Sequence, residues 1–207
     1  MNTMHVQPIV LEDQRIRLEP LSLQHTDGLL ACLELSTFEY MPSGPTTKTT
    51  HAIETYIKGL TTREDQIAFV IIDKQRSIPI GTTSYMHIRP EHRGLEIGCT
   101  WITSSARGTG INLGMKRLLL EHAFDRLDVI RVELCTDALN KRSRRAIEKL
   151  GAVQEGVLAS HMVMPCGRLR NTALYSITSD RWNEVRAIHG WSTDKENPSH
   201  RGSDARD

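Results

Sequence analysis

The chain has 207 residues, 39% of them hydrophobic and 25% charged, with a net charge of +1 at pH 7. That length suits one domain with its own buried core, and the near-neutral charge sets up no global field for nucleic acid or an anionic membrane. No apolar run approaches the roughly 20 residues that cross a bilayer, and the opening Met1-Asn2-Thr3-Met4-His5 lacks the basic and apolar regions of a secretory leader.

Arg15 to Pro20 alternates polar and apolar residues and predicts a short strand closed by proline. Ser22 is a candidate cap for a helix to about Glu34, with Leu23, Leu29, Leu30 and Leu33 facing inward. After the turn-rich Met41-Pro42-Ser43-Gly44-Pro45, the spacing predicts a helix from Thr49 to Leu60 that buries Ile53, Tyr56, Ile57 and Leu60. Ile67 to Ile72 and Ile78 to Met86 then read as strands, the second with Gly81 inside it. A third strand, Leu95 to Ile102, follows the turn His92-Arg93-Gly94. Simple alternation puts Leu95, Ile97, Cys99 and Trp101 on one face, and Glu96, Gly98, Thr100 and Ile102 on the other.

Ser104 to Gly110 is a turn of small residues, and a strongly amphipathic helix opens at Ile111. The strand Ile130 to Cys135 completes a strand–helix–strand unit, which calls for a parallel pair. Asn140 is a good cap for another helix, closed by Gly151. Val157 to Met164 and Leu169 to Thr178 form a hairpin around Pro165-Cys166-Gly167-Arg168. Beyond about residue 190 the composition has nothing to bury. The expected organisation is one domain over 1–189 and a disordered tail over 190–207. Cys32, Cys99, Cys135 and Cys166 are widely spaced, with no metal-binding pattern, so reduced thiols, no metal and a cytoplasmic location are expected.

The segment Arg107-Gly108-Thr109-Gly110-Ile111-Asn112 lies where a strand ends and a helix begins. Unpaired backbone N–H groups and the helix dipole favour phosphate there. Glycines allow close approach, and Arg107 adds charge. A tight turn that binds nothing is the plain alternative. No Gly-Lys-Ser/Thr follows, which excludes a Walker loop. The third glycine and the early position of a dinucleotide fingerprint are also missing.

The same segment resembles the acyl-CoA loop of the GNAT acetyltransferases, matched at Arg107 and Gly110, with Asn112 departing from the usual glycine or alanine. Glu96-Ile97-Gly98, Asn140 to Ser143, Ile147 to Gly151 and Glu155-Gly156 extend the resemblance from about Arg15 to Trp182. They are most similar to the RimJ/RimL-like branch, the ribosomal-protein N-terminal acetyltransferases. The resemblance implies an α/β (α+β) fold with a mixed, mostly antiparallel, V-splayed sheet of about seven strands and about four helices. It also implies acetyl-CoA as donor, held by backbone near Trp101 and Ile102, by the amides of Gly108, Thr109, Gly110, Ile111 and Asn112, and by Asn140 and Ser143. The partner is an amine, either a peptide N-terminus or a small molecule, with no nucleic acid and no membrane. Relatives of the branch are often dimers, which leaves a homodimer open.

Acetyl transfer needs a neutral amine, stabilisation of an oxyanion and a leaving thiolate. Glu96 is the candidate base, against the alternative of a carboxylate paired with an arginine on the sheet. Ser143 is the candidate acid or thiol-contacting group, because Ser143, Ile147 and Leu150 share a helical face, against the alternative of a hydroxyl bonded back to the helix backbone. The tyrosine that many GNAT enzymes carry at Ile147 is missing. His161, His87 and His92 are weaker candidates, and the basic run Lys141 to Lys149 reads first as a solvated face. A catalytically silent acyl-CoA sensor is the reading from another class.

Overall fold

The computed structural model describes residues 4–191; the tail expected beyond them lies outside the described residues, apart from Gly190 and Trp191. Eight strands form one sheet in the order β1-β2-β3-β4-β5-β6-β8-β7. They are β1 Leu11–Glu12, β2 Ile16–Pro20, β3 Ile67–Asp73, β4 Ile78–Arg89, β5 Gly94–Ile102, β6 Arg131–Asp137, β7 Val153–Val163 and β8 Leu169–Thr178. The α-helices are α1 Thr26–Cys32, α2 Thr50–Thr61, α3 Ile111–Glu121, α4 Lys141–Lys149 and α5 Trp182–His189. All strand pairs are antiparallel except β5 with β6. The sheet exceeds the expected strand count by one because Leu11–Glu12 folds back on Leu18 and Arg17.

Period-two patterning places one hydrophobic core on each face of the sheet. On β3, Phe69 and Ile71 join a core with α3, α4 and α5, while Ala68 and Val70 join a second core with α1 and α2. The helix over Thr50–Thr61 buries all four predicted residues, and Thr49 Oγ1 caps it by accepting from the Ala52 N–H. The first helix is shorter than predicted. Leu23 begins a single 3₁₀ turn and is exposed, whereas Leu29 and Leu33 are buried.

The strict alternation expected for β5 fails at its middle. The ladder to β4 slips between Thr82 and Ser84, and Cys99 takes a left-handed φ of +48°. This bulge inserts one residue and exchanges the faces downstream. Leu95 and Ile97 therefore share a core with Ile102, and Cys99 and Trp101 pack in the other. Thr100 turns to the α3 side, away from Glu96, where Lys116 Nζ donates to its hydroxyl at 3.2 Å.

Candidate functional site

Parallel pairing of β5 with β6 covers only Gly94↔Arg131, Leu95↔Val132 and Glu96↔Glu133. Beyond Glu96 and Glu133 the two strands part, and β5 continues to Ile102 paired only with β4. The bulge at Cys99 supplies a bend at this point. The result is a fork in the centre of the sheet whose inner edges have no strand partner, so backbone N–H and C=O groups there are free for a ligand.

The chain leaves β5 through a 3₁₀ turn, Ser104–Ala106, and enters α3 at Ile111. Gly108 and Gly110 have φ of +75° and +89°, a region side chains rarely adopt, so the turn requires glycine. A Cβ on Gly108 would meet nothing within 4 Å, and one on Gly110 would meet only Arg15 Nη1 at 3.4 Å. The surface at Gly108 is therefore bare, and the first N–H groups of α3 emerge beside it. Ile111 anchors the helix in the core, while Asn112 is half-buried. The Thr109 hydroxyl is spent on the Ala106 carbonyl.

The first third of the chain braces this loop, which the loop motif alone does not reveal. Glu34 Oε1 accepts from Thr103 Oγ1 at 2.9 Å, from the Ser104 N–H at 2.9 Å and from Ser104 Oγ at 2.7 Å. Those donors, those of Ser104 foremost, hold the Glu34 carboxyl below the usual carboxylate range. Arg107 donates to the Ile102 carbonyl at 3.2 Å and to Thr37 Oγ1 at 2.8 Å, so its guanidinium fastens the loop as well as charging it. Arg15 donates to the Thr109 carbonyl at 2.9 Å. Arg15 and Arg76 also line a hollow of about 200 Å³ against the loop, which adds positive potential there.

Across the fork, Asn140 caps α4 as expected, its Oδ1 accepting from the Ser143 N–H at 3.0 Å. Ile147 and Leu150 are buried and Ser143 is half-buried on the same side. Desolvation first, and the charge of Arg142 at the start of α4 second, lower the pKa of Arg107.

Glu96 lies on the opposite face of the sheet from α4, and no hydrogen bond joins it to Ser143 among the described residues. It is 7% exposed. The arginine partner expected for a plain structural carboxylate is absent from it. His87 Nδ1 lies 3.0 Å from its Oε2, and that hydrogen bond raises the His87 pKa. The strand neighbour Glu133 takes the arginine role instead, pairing with Arg89 at 3.0 Å and Arg131 at 2.9 Å. Gly98 leaves room for the Glu96 carboxylate: a Cβ there would stand 3.0 Å from Oε1 and 2.5 Å from Met86 Sδ.

Lys116 was not singled out by sequence. It is buried on α3, and burial pulls its pKa down to about 7, against the opposing pull of Glu96. Of the weaker candidates, His161 bonds Thr172 Oγ1 at 3.0 Å, and the exposed His92 lies 3.8 Å from Glu91. Trp182 is a core residue stacked on Phe124. Cys99 and Cys135 are pushed up by burial, to about 11 and about 12. Among the described residues no cluster of three or more His, Cys, Asp or Glu could hold a metal ion, and no helix is long and apolar enough to cross a membrane.

Comparison with known proteins agrees with this geometry. The chain is 29% identical over 102 residues to the "Putative ribosomal N-acetyltransferase YdaF" of Bacillus subtilis (strain 168), a stretch covering 49% of this chain and 55% of that relative. The match thus spans about half the length of the curated relative. A "putative acetyltransferase from T. thermophilus" superposes with a TM-score of 0.84 at 32% identity, covering 90% of this chain and 98% of the other. "RimL- Ribosomal L7/L12 alpha-N-protein acetyltransferase" shares the fold, with a TM-score of 0.72 at 18% identity, over 84% of this chain and 96% of that one. The family described as "Acetyltransferase (GNAT) domain" matches residues 15–153, and with the fork and the glycine turn falling inside that span, the chain belongs to the GNAT acetyltransferases.

Proposed function

We propose that this protein is an N-acetyltransferase that moves the acetyl group of acetyl-CoA directly to an amine, in the cytoplasm. The observation that carries the reading is the parting of β5 from β6 immediately after Glu96, with the bare Gly108–Gly110 turn at the head of α3. In this reading the free edge of β5 at Trp101 and Ile102 pairs with the amide groups of the pantetheine arm. The N–H groups of Gly108, Thr109, Gly110, Ile111 and Asn112 take the pyrophosphate, whose charge the helix dipole and Arg107 favour. Asn140 and Ser143 face the thioester from the α4 side, and the Ser143 hydroxyl donates a hydrogen bond to the departing sulfur.

Glu96 approaches from the other face and takes the proton of the attacking amine, directly or through one water. His87 Nδ1, 3.0 Å from Oε2, holds this carboxylate in place. The high pKa values of Cys99 and Cys135 keep both thiols protonated, which supports direct attack by the amine over a thioester on the enzyme. The acceptor is a peptide N-terminus or a small amine, and the likeness to a relative named for ribosomal N-acetylation supports the former. Exposed Val157, Leu158, Val163 and Leu169 on the β7–β8 hairpin support a homodimer.

The test is release of CoA thiol across a panel of amines and N-terminal peptides, wild type beside Glu96→Gln. At a saturating acceptor, the variant should lose about 10²-fold or more in kcat while binding acetyl-CoA as the wild type does. Full activity in Glu96→Gln would remove the base from the account.

A further inference from the structure

The second face of the sheet is covered by α1 and α2 over β3, β4 and β5. Over β6 and β8 it is lined by polar side chains around Leu174. On β8 the alternation sends Ala173, Tyr175 and Ile177 into the main core, leaving Arg170, Thr172 and Ser176 on this other face. On β6 Val132 and Leu134 are core, so Glu133, Cys135 and Asp137 share the face with Arg170. Glu96 completes the row from β5.

Within this row Arg170 is anomalous. It is only 5% exposed, and its Nε is buried with no hydrogen-bond partner. Among the described residues it makes no ion pair. The other arginines here are committed: Arg168 pairs with Asp137, and Arg131 with Glu133 and Glu155. The carboxylates near Arg170 are committed too. Asp137 holds Arg168 and caps the Leu139 N–H at 2.9 Å, and Glu96 holds His87. Burial lowers the pKa of Arg170, while the carboxylates of Asp137 and Glu96 oppose that shift. Thr172 pairs with Asp137, past the point where β5 and β6 part after Glu96 and Glu133, so Arg170, two residues beyond Thr172, lies at the open end of the fork. A guanidinium stays charged at any working pH, and its planar fork of N–H donors matches a carboxylate. Burying it unpaired opposes folding, and that cost disappears when an anion binds.

We infer that Arg170 is the anchor for a carboxylate carried by the acceptor, so that the substrate is an amine with an acidic group a few bonds from its nitrogen. This inference rests on the acetyltransferase reading above and names its acceptor class. The amine lies toward Glu96 and the carboxylate on Arg170, which favours free amino acids over their amides and over polyamines. A peptide N-terminus followed by Asp or Glu offers the same chemistry from another source.

The experiment measures kcat/KM for CoA release with free α- and ω-amino acids, the corresponding amino-acid amides, spermidine, and peptides with Asp or Asn at the second position. It compares wild type with Arg170→Gln and Arg170→Lys, and binding of the N-acetyl amino acid product is followed by calorimetry. Wild type should prefer the carboxylate form by tenfold or more in the amino-acid or the peptide arm. Arg170→Gln should lose that preference and the product binding, and Arg170→Lys should recover part of both. Acetyl-CoA affinity and melting temperature should be no lower in Arg170→Gln, whereas a guanidinium needed by the fold would make the variant melt earlier. Equal rates with acids and amides, or a preference that survives Arg170→Gln, overturns the inference and leaves the acetyltransferase reading standing. Absence of acetyl-CoA binding in the wild type overturns both.

Discussion

Lys116 carries a sharp consequence at the scale of single residues. Its pKa is about 7 in the folded chain, while an unfolded lysine titrates near ~10.4. Between those values the unfolded chain binds a proton that the folded chain does not, so this group makes stability rise with pH from about 7 to about 10. Below about pH 7 both states are protonated and the full penalty remains. Lys116→Met should therefore raise the melting temperature most near pH 6, with the gain over wild type shrinking toward pH 10. A gain independent of pH would contradict the burial of a neutral amine. Neither Lys116 nor Arg170 was legible in the letters. A lysine at one position of an amphipathic helix and an arginine in a hairpin strand read as solvated residues until the topology buries them. Glu96 was legible as a carboxylate on the central strand, but its partnership with His87 depends on register across a bulge.

At the scale of elements, the capped helix after β6 illustrates what local chemistry specifies well. Asn140 accepts from the Ser143 N–H, and Gly151 closes the helix at φ +96°. Asn140→Ala should lower stability by about 1 kcal/mol, while Asn140→Asp keeps an accepting oxygen and stays near wild type. Denaturant titration of the three proteins checks this; equal loss in both variants would show that the cap is not what Asn140 contributes. The strand β5 shows the opposite case. Its pattern announced a strand, yet the left-handed φ at Cys99 changes which face Thr100, Trp101 and Ile102 occupy. Such a bulge costs about 1–3 kcal/mol in a non-glycine residue, and no local sequence signal marks it. It persists because β4 holds both ends of β5, with Gly81 admitting the Trp101 carbonyl at 2.0 Å from where a Cβ would stand. The break in alternation coincides with the opening of the fork, so the least predictable residue of the strand lies at the site.

For the whole molecule, the order of elements was readable because each long amphipathic segment and each apolar run has one period. The strand–helix–strand unit called for one parallel pair, and the GNAT resemblance implied the mixed sheet around it. What the letters could not show is how far the parallel pair extends. It stops after three residue pairs, and that short ladder, more than the glycine motif, makes a binding cleft of the sheet. The long-range ties of Glu34 and Thr37 to Ser104 and Arg107 show the N-terminal third holding the loop in place. The most direct measurement is acetyl-CoA affinity by calorimetry, wild type beside Gly110→Trp, with circular dichroism to confirm that both are folded. At Gly110 a side chain meets both a φ of +89° and the Arg15 guanidinium 3.4 Å from its Cβ. The account predicts saturable one-site binding to wild type and at least a tenfold loss in the folded variant. No binding to wild type, or undiminished binding to Gly110→Trp, would contradict the assignment of this turn as the donor site.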